Sequence, residues 1–263
     1  RFDVDVWQYA EFGSYARLRI DGAAERLYFS SDSNTLETVV DDQVLTWRMP
    51  QGSEYAVPEP QPLRLQADQT PSAEPTEYLG AAVGTLREAT GRLDRRAVLI
   101  CEKLTRGGCS RRLESWDKDV LRGTLELEPV LNDTQASFLT FSGDDDYLIV
   151  ASRTKLRILE WQTLDEVASL FVNQVAHAAV SPGLQRAATL DADGTARIWN
   201  LADDTRIAQF KLDRQTRAMA LSDDNRWLAV LTDGGQIVEL YALSPPDLIN
   251  QACRWLAAPC PNP

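Results

Sequence analysis

The sequence lacks the features that mark most membrane, secreted and nucleotide-hydrolysing proteins. None of its 263 residues belongs to an apolar run of about 18 residues, the length a membrane-spanning helix needs. The opening residues, RFDVDVW, do not form a basic and apolar signal segment, and neither G-x-x-x-x-G-K-[ST] nor G-x-G-x-x-G occurs. Because the chain starts at Arg1 inside a predicted strand, we expect a piece of a longer cytoplasmic protein.

Basic residues are scarce. The chain has 27 Lys and Arg against 39 Asp and Glu, a formal net charge of −12. Binding to nucleic acid or to an anionic membrane surface requires a basic face, so neither is expected. Only Arg87 to Arg122 reverses the sign, with ten basic and six acidic residues.

Groups for metal binding and acid–base catalysis are also few. The four cysteines form two close pairs, Cys101 with Cys109 and Cys253 with Cys260, and neither pair has C-x-x-C spacing. Two disulfides and four free thiols are the alternatives, and we favour the thiols. The single histidine, His177, falls in a predicted innermost strand, and adjacent aspartates fall in predicted turns. We therefore expect no catalytic residues, no metal and no cofactor.

What the sequence does contain is a repeat of about 40 residues. The segments beginning at Phe138, Ala178 and Ala218 each read as a short apolar strand, a serine with a polar turn, a second strand, another turn and a third strand. A fourth copy starts at Phe29. The anchors are the serines Ser142, Ser181 and Ser222 and the ends of third strands at Trp7, Trp47, Trp116, Leu159, Trp199 and Leu240.

This pattern resembles the WD-repeat family in its period, in its FSSDSN and VSPG turns, and in DADGTARIWNL and SWD (115–117). The resemblance implies an all-β fold over residues 1–242, a β-propeller of four-stranded antiparallel blades. The number of predicted third strands corresponds to five blades plus part of another. Either a ring of about seven continues upstream of Arg1, or the first strands pair with the last blade. The Gly-His dipeptide of the family is absent, so apolar packing should dominate.

Residues 58–96 interrupt the repeat. Here 58–77 reads as an exposed loop rich in proline, 79–83 as an innermost strand, and 84–96 as a loop that holds a short helix. The strands that follow are predicted at 97–101, 110–117 and 120–127, the last as the outer strand.

The tail, 243–263, predicts a short helix in LINQACRWL followed by APCPNP. Both segments resemble the C-terminal ends of bacterial WD-repeat proteins that carry a STAND-class NTPase upstream. The resemblance implies that the chain is the sensing part of a signalling protein, joined to upstream domains.

Loops between second and third strands, with those entering first strands, should form one rim of the propeller. Acidic and basic side chains alternate there, which suits recognition of a protein or peptide. We therefore predict a non-enzymatic interaction scaffold; the alternatives are a propeller that organises a homo-oligomer and a propeller enzyme. The predicted binding residues are Asp41, Asp42, Lys103, Arg106, Arg153, Lys155, Asp191 and Asp193, with Glu102 and Asp233 nearby.

Overall fold

The computed structural model describes residues 16–49, 60–63, 85–90, 95–103, 109–130 and 138–243, apart from 21, 25, 31, 41–42, 153 and 213–214. Within these ranges the chain is all-β, with five antiparallel sheets of four strands each and one 3-10 turn, Asp233–Gly235. No helix of the described part has the length and apolar character needed to cross a membrane. The C-terminal helix predicted in 243–263 falls outside these residues.

The strands follow in chain order. They are β1 (Ala16–Arg19), β2 (Leu27–Phe29), β3 (Thr35–Val40), β4 (Gln43–Arg48), β5 (Pro60–Leu63), β6 (Thr85–Thr90), β7 (Arg95–Lys103), β8 (Cys109–Asp117), β9 (Val120–Val130), β10 (Phe138–Phe141), β11 (Tyr147–Ala151), β12 (Lys155–Glu160), β13 (Glu166–Phe171), β14 (Val175–Val180), β15 (Arg186–Asp191), β16 (Thr195–Asn200), β17 (Thr205–Lys211), β18 (Thr216–Leu221), β19 (Trp227–Thr232) and β20 (Ile237–Ala242). Sheet 1 is β2-β3-β4-β5, sheet 2 is β6-β7-β8-β9, sheet 3 is β10-β11-β12-β13, sheet 4 is β14-β15-β16-β17, and sheet 5 is β18-β19-β20-β1.

Burial follows the position of a strand in its sheet. In sheets 3, 4 and 5 the second strand is buried on both faces along most of its length, and every residue of WLAVLT in β19 is buried. In sheet 1 the second strand, β3, alternates between buried and half-buried residues. The fourth strand carries most of the exposed residues, as in TRIAQFK of β17. Continuous apolar runs therefore mark central strands, and mixed polar sequences mark outer ones.

The large anchor residues lie in third strands, where the repeat predicts them. Trp47, Trp116, Leu159 and Trp199 are each paired with the second residue of the neighbouring second strand. In sheet 5 that position belongs to Tyr241 instead of the predicted Leu240. In sheets 2, 3 and 4 the register with the fourth strand shifts at this residue, so the repeat includes a bulge.

The three anchor serines, and Ser30 at the same place in the copy that starts at Phe29, build one type of turn between first and second strands. The residue three positions after each serine has a left-handed backbone, with φ between 52° and 61°. The serine oxygen accepts a hydrogen bond from the backbone N–H five residues later and fixes the turn. The donors to Ser30, Ser142, Ser181 and Ser222 are Thr35, Tyr147, Arg186 and Trp227, at 3.0, 3.0, 3.0 and 2.9 Å.

Two predictions in the irregular middle are wrong. Residues 85–90 form β6, the first strand of sheet 2, where we expected a loop with a short helix. Within the expected proline-rich loop, Pro60–Leu63 is β5, the outer strand of sheet 1. Proline is tolerated there because an outer strand uses only one of its edges. The predicted strand 79–83 and Trp7 lie outside the described residues.

The chain divides into two compact units. The first contains residues 1–65 and 177–263, and the second contains 66–176. In the first unit one apolar cluster joins sheets 1 and 5 around Trp47 and Trp227, and another joins sheets 4 and 5 around Ile198 and Leu228. In the second unit a cluster around Leu113 and Leu148 joins sheets 2 and 3.

A polar contact between neighbouring sheets occurs in both units. Arg186, the first residue of β15, donates from Nη1 to the carbonyl of Asn225 in the first turn of sheet 5, at 2.9 Å. Arg95, the first residue of β7, donates in the same way to Asp145 in the first turn of sheet 3, at 2.8 Å. Both acceptors are the left-handed residues of their turns.

Strand β1 completes the sheet formed by the last three strands. It pairs with β20 as the outer strand, in the register Arg17 to Glu239. Glu239 is buried, and its carboxylate binds Arg17 Nε at 2.9 Å and the Tyr241 hydroxyl at 2.8 Å. The sequence allowed either further repeats upstream of Arg1 or pairing of the first strands with the last sheet. The pairing of β1 with β20 is the second of these arrangements.

Candidate interaction surface

The predicted binding residues that the structure describes flank the turns between second and third strands. Lys103 ends β7, Lys155 begins β12, Asp191 ends β15, and Asp193 lies in the turn that follows. Asp233 begins the 3-10 turn between β19 and β20. Asp41, Asp42, Arg106 and Arg153 fall outside the described residues, as do Cys253 and Cys260.

The two aspartates at the turn between β15 and β16 of sheet 4 have different partners. Asp191 is buried and binds Arg197. Asp193 is exposed, and its carboxylate accepts hydrogen bonds from the Thr195 N–H at 2.9 Å and from Lys211 Nζ at 3.0 Å. The hydrogen bonds from Thr195, followed by Lys211, lower the pKa of Asp193 from 3.8 to about 2. Asp193 and Lys211 therefore form an exposed ion pair, and the Thr195 backbone N–H also holds the Asp193 carboxylate in place.

The turn of sheet 3 leads into a denser ionic network. Lys155 Nζ lies 3.1 Å from Glu166, whose other oxygen lies 3.5 Å from Arg157 Nε. Arg157 also binds Glu128 of β9 at 3.0 Å. Burial alone raises the pKa of Glu166, but the hydrogen bonds from Lys155 and Ser169, with the nearby positive charges, outweigh it and lower the pKa.

The turn of sheet 5 receives the connection between β1 and β2. Ile20 and Ala24 donate backbone hydrogen bonds to Gln236 and Gly235, both at 2.9 Å. Gly235 has φ +95°, and a Cβ placed there would lie 2.3 Å from the Ala24 oxygen. Glycine is thus required by both the backbone and the close approach.

The residues considered for catalysis lie in structural positions. His177 lies in β14, the first strand of sheet 4, and burial lowers its pKa, with the Thr216 backbone hydrogen bond acting in the opposite sense. Asp144 and Asp224 each accept from the serine of their turn at 2.5 Å. Within the described ranges no three His, Cys, Asp or Glu residues are grouped as a metal site.

The predicted cysteine pair of sheet 2 lies on adjacent strands. The register sets Cys101 opposite Arg111 and Cys109 opposite Lys103, so the two cysteines are diagonal neighbours. The disulfide between them, like that of Cys253 with Cys260, stays a prediction.

Sequence reasoning missed the exposed apolar side chains. Phe171, at the end of β13, is 87% exposed, and Val167 of the same strand is 45% exposed. Phe171 lies opposite Lys155, at the end of sheet 3 that carries the second-to-third turn. The signal available in the sequence was the absence of charge from 167 to 172 of an outer strand.

The chain matches no protein-family model and no curated protein sequence.

Proposed function

We propose that the five sheets are the blades of a WD-repeat-type β-propeller, with β1 as the strand that closes the ring. Three observations support this architecture. Every sheet has the same order of four strands. Sheets 2, 3 and 4 share a bulge between the third and fourth strands, and sheets 1, 3, 4 and 5 share the serine turn. Consecutive sheets within each unit share an apolar cluster. Sheet 5 takes its outer strand from the segment that leads directly into sheet 1. Electron-microscopy views with a central channel would agree with this proposal, and an open row of sheets would contradict it.

We further propose that the chain is a non-enzymatic protein-interaction scaffold that binds a protein or peptide at the rim. The observation that supports it best is the ion pair of Asp193 and Lys211. Their side chains are 64% and 60% exposed, yet both are held in place by hydrogen bonds to the turn. Charges that are fixed before binding lose little conformational entropy when a partner docks. In a larger signalling protein this rim would be the recognition surface.

An exchange of the two charges tests the rim without removing the ion pair. We would combine Asp193→Lys with Lys211→Asp and isolate proteins bound to the wild-type chain and to this variant from cells of the source organism. A purified partner would then be titrated against both chains. The proposal expects at least a tenfold weaker affinity for the exchanged chain, because a charge-complementary partner would face like charges.

A matched control is the exchange of Arg122 and Asp117, a second exposed ion pair at 2.7 Å, which lies at the turn between third and fourth strands. Equal affinities of the partner for both exchanged chains and the wild type would place binding elsewhere.

A further inference from the structure

Two turns of the structure contain an aspartate followed by a glycine, a pair that can rearrange its own backbone. A glycine has no side chain to keep its amide nitrogen away from the carboxyl group of the preceding aspartate. The chain has three such pairs, and the structure describes both residues of two, Asp193-Gly194 and Asp233-Gly234. Both lie between second and third strands, in sheet 4 and in sheet 5. A difference in reactivity between them therefore comes from the surrounding structure.

In sheet 4 the structure restrains both reacting groups. The Gly194 N–H donates a hydrogen bond to the carbonyl of Asp191 at 3.0 Å. The Asp193 carboxylate accepts hydrogen bonds from Thr195 and then Lys211, which lower its pKa to about 2 and keep it charged. Attack by an amide nitrogen requires a neutral carboxyl group, whose hydroxyl can leave as water. The pair Asp193-Gly194 is therefore protected both at its nitrogen and at its carboxyl group.

In sheet 5 the corresponding pair has more space. Asp233 and Gly234 begin the 3-10 turn, and both are exposed. Thr232, the residue before the turn, provides no side-chain cap. A Cβ placed on Gly234 would meet no atom within 4 Å. The side chain of Asp233 and the nitrogen of Gly234 therefore have the room that closing a ring requires.

From this contrast we infer that Asp233-Gly234 is a site of spontaneous aspartate isomerisation. The Gly234 nitrogen attacks the side-chain carboxyl carbon of Asp233 and forms a carbon–nitrogen bond. The carboxyl hydroxyl leaves with the amide proton as water, and the product is a cyclic imide, the succinimide. Water then adds to the main-chain carbonyl carbon of this ring and breaks its bond to nitrogen. The result is isoaspartate with a free main-chain carboxylate, and the water released in the first step is regained in the second.

Isomerisation lengthens the backbone by one methylene group immediately before Gly234. The Gly234 carbonyl accepts a hydrogen bond from Arg217 Nη1 at 3.1 Å, and the Gly235 carbonyl accepts one from the Ala24 N–H at 2.9 Å. Gly235 also lies so close to the β1–β2 connection that a Cβ there would be 2.3 Å from the Ala24 oxygen. A longer backbone displaces these carbonyls, so the reaction weakens the attachment of the β1–β2 connection to sheet 5. The inference uses sheet 5 and this connection and does not depend on binding at the rim.

The first test ages the full wild-type chain for several weeks at physiological temperature and slightly acidic pH. Trypsin then separates the two pairs, because Arg197 lies between them. Protein isoaspartate methyltransferase with labelled S-adenosylmethionine marks the free main-chain carboxylate, and mass spectrometry detects the succinimide as a peptide that has lost one water. The label on the peptide with Asp233 should exceed the label on the peptide with Asp193 several-fold.

A parallel sample aged in concentrated urea is the matched control, because unfolding removes the restraints on Asp193 and the two pairs should then be labelled alike. Equal labelling of both pairs in the folded chain overturns the inference, and so does an absence of label at Asp233. In Lys211→Met one restraint on Asp193 is lost, so its label should rise while that of Asp233 stays unchanged.

The second test follows the β1–β2 connection. Amide hydrogen exchange of Ile20 and Ala24 should become faster as isoaspartate accumulates in the wild-type chain. Asp233→Glu keeps the charge but must close a larger ring, which is slower, so this variant should retain protection when it is aged in parallel. Label at Asp233 without faster exchange at these amides overturns the effect on the connection, as does equal loss of protection in both chains.

Discussion

The contact between the β1–β2 connection and the last turn can be measured with two adjacent glycines. Both Gly234 and Gly235 have a left-handed backbone, with φ +68° and +95°, so alanine costs about 1 kcal/mol at either position for conformation alone. A Cβ at Gly234 meets nothing within 4 Å, whereas one at Gly235 lies 2.3 Å from the oxygen and 2.8 Å from the nitrogen of Ala24.

The connection must therefore withdraw in Gly235→Ala. It then loses the hydrogen bonds from Ala24 to Gly235 and from Ile20 to Gln236, each worth about 1 kcal/mol. We expect Gly235→Ala to lower the free energy of unfolding by about 3 kcal/mol and Gly234→Ala by about 1 kcal/mol.

Equilibrium unfolding in urea, followed by tryptophan fluorescence, measures both losses. Amide hydrogen exchange gives an independent readout, since Ile20 and Ala24 should lose protection only in Gly235→Ala. Equal losses of stability in the two variants, with unchanged protection of these amides, would refute the reasoning.

Three further predictions concern polar groups. Arg17→Met weakens the pairing of buried Glu239 and should cost about 2 kcal/mol, and a double-mutant cycle with Glu239→Gln should show coupling; strictly additive losses would speak against the ion pair. Ser222→Ala removes the side-chain acceptor of the Trp227 N–H in a buried turn and should cost about 1 to 2 kcal/mol in urea unfolding; no loss would mean that the serine does not fix the turn. Because the folded pKa of Asp193 is about 2, below its ordinary 3.8, its charge stabilises the protein fully above pH 3.8, and this contribution disappears as the pH falls through 2. The stability difference from Asp193→Asn, measured in urea at several pH values, should follow that course, and a constant difference would contradict it.

Much of the fold could be predicted because each repeat meets the same physical requirements. A serine is needed to hold the turn whose fourth residue is left-handed, and a large residue is needed where the third strand packs. Because every copy meets these requirements at the same position, Trp47, Trp199 and Ser222 can be recognised from the repeat in the sequence. The repeat period therefore predicted four of the five sheets from the sequence alone.

The irregular middle could not be predicted because local preference opposed the outcome. TLREAT in β6 consists largely of good helix formers, and it becomes a strand through its pairing with β7. PQPL in β5 contains two prolines, which argue against a strand unless its position at a sheet edge is already known.

The charges at the second-to-third turns could be found in the sequence, but their partners could not. Lys211 and Glu166 belong to fourth strands, and whether they reach Asp193 and Lys155 depends on the register of the outer ladder. That register includes the bulge in the fourth strand, which no sequence period reveals. The exposure of Phe171 was missed for a similar reason, because alternating apolar residues are typical of a half-buried strand.

The pairing of β1 with β20 sets an order of events during synthesis. β1 is translated before the strands of sheets 1 to 4, and its partner β20 is translated after them, so β1 precedes its partner by four whole sheets. Closing a loop that contains sheets 1 to 4 carries an entropic cost, and contacts between residues so distant in sequence slow folding. The ion pair between Arg17 and the buried carboxylate of Glu239 can therefore form only after sheets 1 to 4 have been translated, when sheet 5 is completed.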